Sequence, residues 1–424
     1  MGMTAFEKIT ARAAGLSSVK PGEFVYPRAD LMFLHDGQVE STKIELDEIG
    51  ITELDDPSKV VFVTDHEVVY STPKAAQRGL RIREAAKAWK VDKFFDVGQG
   101  GHGHIFPIEM GLVGPGMFIY ANDMHCTNFG AVGAVALRVG TEIANAIAMG
   151  VLWIKVPSTI RIKFTGQLKP GVYGRDVGYC LARNLADRAY GGVNPAYRVI
   201  ELAGNLDQFD LAARVALINT ATEVGVAHVF IPPTREIVER QSKAAGRPFT
   251  GVYSDDDAEY EAEGEFDLSC LEPQVALPGG PERSVDLSSV LGRPINHAFI
   301  GSCGSGMYED MLVAANILRG KRIAPSTRMT IVPGTVATAR RLSEEGLMSA
   351  FQEAGCIILP PGCGPCAGAK SGSLGPGEVS ISTAAVNTAG RMGDKTSEIY
   401  LGSPATVAAS ALAGHIADAR VIAA

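Results

Sequence analysis

Short apolar runs rich in Val, Ile and Phe recur along the chain, separated by longer stretches in which apolar positions return at helical spacing. This alternation predicts an α/β fold with largely parallel sheets. The predicted strands are 60–63, 93–97, 117–120, 229–231, 297–300, 329–332 and 356–359; the clearest predicted helices are 307–318, 335–353 and 405–417. Polar turns follow five of those strands: Thr64-Asp65-His66, the glycine-rich 98–104, Ala121-Asn122-Asp123-Met124-His125, Gly301-Ser302-Cys303, and 360–366. Ligands of open parallel sheets sit outside the carboxyl ends of the strands, so a site is expected at these turns, and several sheets can face one cleft.

At 424 residues the chain exceeds one ordinary core and predicts two to four domains. The acidic run 255–267 reads as a solvated loop or connector, and Pro278-Gly279-Gly280-Pro281 as a boundary before a C-terminal domain. With 39 basic and 47 acidic residues and a net charge of -8, without a basic patch, no nucleic-acid partner is expected. The sequence has neither a signal-peptide pattern nor a membrane-length apolar run, so the expectation is a cytoplasmic protein without membrane contact. Seven cysteines, an odd number, fit a reducing compartment better than a disulfide framework. Cys180, Cys270 and Cys356 read as buried structural thiols.

Three further cysteines change the picture. Cys303 lies in Ile300-Gly301-Ser302-Cys303-Gly304-Ser305-Gly306, and Cys363 and Cys366 in Pro361-Gly362-Cys363-Gly364-Pro365-Cys366. Three thiolates can hold three corners of a cubane iron–sulfur cluster and leave one iron open as a Lewis acid toward a hydroxyl or carboxylate. By spacing alone, Cys-x-x-Cys also suits zinc and thioredoxin-like redox turns. Asp65-His66 and Asp123-x-His125 set a carboxylate beside an imidazole, which fixes the tautomer and stabilises the imidazolium that a leaving hydroxide needs as proton donor. His104 joins them from its glycine-rich loop, where His102 is a weaker candidate, and His35-Asp36 is a further strand-end pair. Glu223 sits in an apolar, helix-like segment where burial would raise its pKa. Arg391, between Gly390 and Met392, can grip a carboxylate bidentately or serve as a plain surface charge. His228, His297 and His415 read as core or surface residues.

Taken in order, these segments resemble the aconitase superfamily, most closely the 3-isopropylmalate dehydratase large-subunit family. The likeness also runs through Val156-Pro157-Ser158-Thr159, Leu271-Glu272-Pro273-Gln274-Val275-Ala276 and Gly390-Arg391-Met392-Gly393 to Ser403-Pro404-Ala405. It implies three aconitase-like α/β/α domains around a central cluster site: 1–158 with the His/Asp turns, 159–285 with Glu223 and the acidic connector, and 286–424 with the cysteines and Arg391. It further implies a [4Fe-4S] cluster on Cys303, Cys363 and Cys366. The implied catalytic network is Asp65, His66, His104, Asp123, His125 and Glu223, with His35, Asp36 and Arg391 at the substrate. The family's swivel domain and serine base are not found before Ala424, so a separate small subunit is expected to supply them, in a heterodimer or heterotetramer. The implied activity is that of a hydro-lyase on a substituted malate-type 2-hydroxy acid.

Three departures bear on substrate. Asp123-Met124-His125-Cys126 replaces the family's usual Asp-Ser-His-Thr, Cys303-Gly304-Ser305 replaces Cys-Thr-Asn, and Val386 stands where the first of two arginines is usual. A buried substrate anion left without its arginine is strongly disfavoured. Met124 and Val386 are therefore expected to shape a pocket for an acid with a carboxylate missing, moved or replaced by apolar bulk, as in a maleate-, citraconate- or dimethylmalate-type hydratase. Readings from another class are a cluster-free RNA-binding protein, which the acidic balance disfavours, and a non-catalytic interaction subunit, which has no need of the cysteines and Asp-His pairs.

Overall fold

The computed structural model describes residues 2–368 and 370–422. Three sheets carry the architecture. The first, wholly parallel, runs in the order Lys93–Phe95, Val60–Val63, Leu31–His35, Phe118–Ala121, Val135–Arg138. Its central strands are buried on both faces, which is why they read as unbroken apolar runs. The chain lays strands outward from Leu31–His35 to one side, then restarts on the other with Phe118–Ala121. The order reverses between these two strands, the place where a parallel sheet offers a ligand crevice, and there the His35 N–H donates to Asn122 Oδ1 at 2.9 Å.

The second sheet, also parallel, orders His228–Phe230, Val199–Gly204, Thr159–Thr165 and Ala262–Asp267. The third has seven strands: Ser284–Asp286, Gln274–Ala276, Glu398–Leu401, Val379–Ser382, His297–Ile300, Arg328–Ile331 and Ile357–Ile358. Five are parallel; the first two form an antiparallel hairpin at one edge. One apolar core runs from the first sheet into the second, through Phe33, Ile119, Phe129, Ile162 and Leu202. The third sheet builds its own core around Met311, Met329, Phe351 and Val407. A smaller apolar cluster of Phe299, Val332, Leu374 and Met392 lies against Cys303 and Cys366.

Several expectations need correction. The 335–353 helix is two helices, Val336–Glu344 and Leu347–Ala354, because Gly346 turns left-handed at φ 72°. The last predicted helix stops at Ala413, capped by left-handed Gly414. The acidic run is no free connector: Ala262–Asp267 is an edge strand, where Glu263 pairs with Arg161, and Glu261 just before it pairs with Arg198. Cys270 is exposed, not buried. The expected boundary at 285/286 falls inside the strand Ser284–Asp286. Among the described residues no helix is long and apolar enough to cross a membrane.

Candidate active site

The carboxyl ends of the first sheet's strands bring five imidazoles and three carboxylates together. Asp65, fully buried just past Val60–Val63, is the hub. It accepts from His66 Nδ1 at 2.6 Å, His35 Nδ1 at 3.0 Å and the Gly103 N–H at 2.8 Å, with His102 Nδ1 at 3.4 Å. Asp36, the first residue of the helix Asp36–Glu48, supports His66 from behind at 3.1 Å and accepts the Glu67 N–H at 2.9 Å. Asp123 forms a second hub, 3.5 Å from His104 Nε2, 3.4 Å from His125 Nδ1 and 4.0 Å from His66 Nε2. Glu223 reaches in from the second sheet's layer, on the short turn Thr222–Val224 after the helix Leu211–Ala221. Its Oε1 lies 3.0 Å from His125 Nε2.

These surroundings divide the imidazoles into two kinds. Burial disfavours a charged His66, but Asp65 and Asp36 outweigh it and raise the pKa well above the ordinary value. His125 goes the same way: burial is overcome by Cys303, Asp123 and Glu223. His104 is held well below its ordinary value by burial and by His35, and burial takes His102 down to about 4. Burial pushes the Asp65 carboxyl up, yet His35 and His66 win and hold it far below the carboxylate range. Two rings poised to give a proton beside two poised to stay neutral make an acid–base site.

The third sheet delivers the thiols to this network. Cys303 follows His297–Ile300, Cys363 and Cys366 follow Ile357–Ile358, and all three are buried. The layers are laced by backbone bonds: His102 N to Gly334 O at 2.7 Å, and Cys363 N to Asp65 O at 2.8 Å. Gly362 permits that second contact, since at φ 154° a Cβ would stand 2.7 Å from Asp65 O. Burial, then Asp65 and the other two thiols, push Cys363 well up. Cys366 moves down, because Arg391 and Ser302 overcome burial.

Three buried thiols on one face suit an iron–sulfur cluster, and the lining leaves polar atoms open for one. His104 Nδ1 and Nε2, His35 Nε2 and Arg391 Nε are buried without a hydrogen-bond partner among the described residues. Two mixed sets, His102/His104/Cys303 and Asp65/His102/Cys363, also converge within 4.8 Å.

The structure thus brings Asp65, His66, His104, Asp123, His125, Glu223, Arg391 and the three cysteines to one place. His35 and Asp36, each 1% exposed, lie one layer behind His66. Val386 is half-buried against the cluster that holds Cys303 and Cys366. Met124 lines a separate cavity of about 210 Å³ with Thr127, Arg138, Tyr197 and Thr222. Sequence reasoning underweighted His102, whose Nε2 lies 3.0 Å from Cys363 Sγ, and missed Asn128, Asn219 and Arg175. Asn219 had a signal, standing four residues before Glu223 in the same apolar segment. Arg175, in an amphipathic helix, had none.

Comparison with known proteins places this geometry. The model of the aconitase family (aconitate hydratase) matches residues 42–414. The chain is 38% identical over 422 residues to the 3-isopropylmalate dehydratase large subunit 1 of Methanopyrus kandleri, covering 99% of each chain. It is also 38% identical over 423 residues, 98% of this chain and 97% of the other, to the protein of Methanothermobacter thermautotrophicus named probable methanogen homoaconitase large subunit. Among solved structures, aconitase X of Thermococcus kodakaraensis in its holo-form superposes with a TM-score of 0.51 at 12% identity, covering 90% of this chain and 89% of that one, a likeness of fold alone.

Proposed function

Because the chain belongs to the aconitase family, we propose that it is the cluster-bearing large subunit of a hydro-lyase acting on a substituted malate-type 2-hydroxy acid. The observation that carries this reading is the convergence of Cys303, Cys363 and Cys366 on the same crevice as the Asp65 and Asp123 hubs. In this reading the three thiols hold a [4Fe-4S] cluster. A cluster bound there would supply Lewis acidity toward the substrate's hydroxyl and carboxylate.

The chain's own residues do the rest. His66, with its Nδ1 tied to Asp65 and Asp36, presents Nε2 to the crevice and delivers the proton to the departing hydroxyl. His125, held between Asp123 and Glu223, stores a second proton, and His104 stays neutral. His35 and Asp36 are positioning groups for Asp65 and His66. Arg391, with its Nε free, takes a substrate carboxylate. Among the described residues Asp36, Asp65, Asp123 and Glu223 each lie against an imidazole, and in this reading the base that removes the carbon-bound proton is supplied by a second subunit. A small subunit fits that need, and the relatives' naming as large subunits supports it. Val386 sets the substrate: an aliphatic side chain beside Ala385, whose N–H faces Cys366, favours apolar bulk over another carboxylate there. The chain divides into three layers in this account, the third starting with the strand Gln274–Ala276 rather than at 286.

The test is anaerobic reconstitution of the chain with iron and sulfide, alone and with a candidate small subunit. Enoate absorbance is followed across a panel of substituted malates and maleates. Turnover by the pair and not by the chain alone is the expected result. Full turnover by the chain alone removes the partner from the account, and no turnover on any member of the panel removes the activity.

A further inference from the structure

Arg175, on the helix Gly174–Ala186, is one of the largest side chains buried almost completely, at 1% exposure. Every hydrogen-bond partner of its guanidinium is neutral: the Tyr179 hydroxyl at 3.0 Å, Asn219 Oδ1 at 2.7 Å, Thr383 O at 3.2 Å and Ala384 O at 2.6 Å. The nearby acids are poor counter-ions, since burial lifts Asp176 to about 7 and holds Asp310 well above its ordinary value. A buried guanidinium without an ionised partner is costly, so its placement calls for a cause.

The partners lead to the thiols. Arginine only donates, so Asn219 must turn its carbonyl oxygen to Arg175, and this fixes which end of the amide faces the other way. That end, Nδ2, points at Cys303 Sγ at 3.2 Å and at Asn128 Oδ1 at 3.1 Å, while Asn128 Nδ2 donates to Cys303 O at 3.0 Å. The bonds to Thr383 and Ala384 hold the turn whose next residue, Ala385, offers its N–H to Cys366. Space for the guanidinium comes from Gly304, next to Cys303. A Cβ there would stand 2.2 Å from Arg175 Nη1 and 2.7 Å from Asn219 Oδ1.

We propose that Arg175 is a positioning residue for the thiolate site: one guanidinium, admitted by the missing side chain of Gly304, holds the N–H donors that face Cys303 and Cys366. The inference rests on the reading of these cysteines as cluster ligands. Without Arg175 the Asn219 amide is free to flip and set its oxygen against the sulfur, and the 383–385 turn loses its anchor. The link from the guanidinium to the sulfur runs through Asn219, which accepts from Arg175 and donates to Cys303.

The experiment uses the full reconstituted chain and reads iron release to a ferrous chelator, the cluster's midpoint potential, and the unfolding midpoint of the cluster-free protein. Arg175→Met is expected to release iron about 10-fold faster or more, the usual effect of removing a group behind a metal ligand. Arg175→Lys keeps the charge but not the fork and is expected to fall between. Gly304→Ala, which keeps Arg175 but displaces it, is expected to labilise the cluster in the same direction. Combined with Arg175→Lys it should add little, because both act on one contact. If Arg175→Met lowers the unfolding midpoint but holds iron as long as the parent, Arg175 is only a packing residue and the inference is overturned. Should Arg175→Met not fold, Gly304→Ala decides by the same readout. A parent chain that assembles no cluster brings down the underlying reading, a result distinct from a stable cluster in both variants.

Discussion

Asp65→Asn is the most searching single change, because it keeps the side chain's shape and removes the charge at the centre of the network. The carboxylate accepts charge-assisted bonds from His66 Nδ1 at 2.6 Å and His35 Nδ1 at 3.0 Å. Two such bonds at about 1.5–3 kcal/mol each, offset by no longer burying a carboxylate, leave a net loss of roughly 1–3 kcal/mol in the cluster-free protein. The loss is pH-dependent. His66 has its pKa raised on folding from 6.5, so its share of the stability is complete below that value and fades as pH rises through the folded pKa. Asp65 is depressed from 3.8, so its share is complete above that value and fades as pH falls through the folded pKa. Parent and variant should therefore differ most between those two values and converge toward alkaline pH. Denaturant unfolding at a series of pH values measures this. In the reconstituted enzyme, loss of the proton donor's partner should lower kcat/KM by about 100-fold or more, with iron content unchanged. Turnover within a factor of about three of the parent would refute the assignment of His66 as proton donor.

Glu223→Gln removes one support of the His125 proton, so the folded pKa drops back toward its ordinary 6.5 and the alkaline limb of the kcat/KM profile moves to lower pH; an unmoved limb separates Glu223 from the acid–base cycle. Val386→Arg restores a cation beside the cysteine turns and should shift preference toward acids with an additional carboxylate by about 100-fold in relative kcat/KM, measured on paired substrates. Gly362→Ala puts a Cβ 2.7 Å from Asp65 O and is expected to cost about 1–3 kcal/mol in unfolding free energy together with part of the iron content.

Much of the site could be read in advance because its residues sit at the ends of apolar strands, where a parallel sheet has to place its ligands. Asp65-His66, Asp123-x-His125 and the three cysteine turns all interrupt such runs. What stayed hidden depends on contacts between distant segments. The acidic strand Ala262–Asp267 is stabilised by Arg161 and Arg198, a hundred and some sixty residues earlier, so locally it reads as solvated loop. Arg175 meets Asn219, Thr383 and Gly304 only once two layers close, and along its own helix it resembles any surface arginine. Met124, adjacent in sequence to two site residues, turns into a different cavity because the 124–132 segment winds as a tight 3-10 helix behind Asp123.

The cluster and its substrate-binding iron can be read by Mössbauer spectroscopy of the anaerobically reconstituted chain with its small subunit, before and after adding substrate, alongside iron and acid-labile sulfide analysis. About four irons and four sulfides per chain are expected, with one iron site alone shifting when substrate is added. Iron without sulfide, or a cluster whose sites all ignore the substrate, would contradict the proposed function.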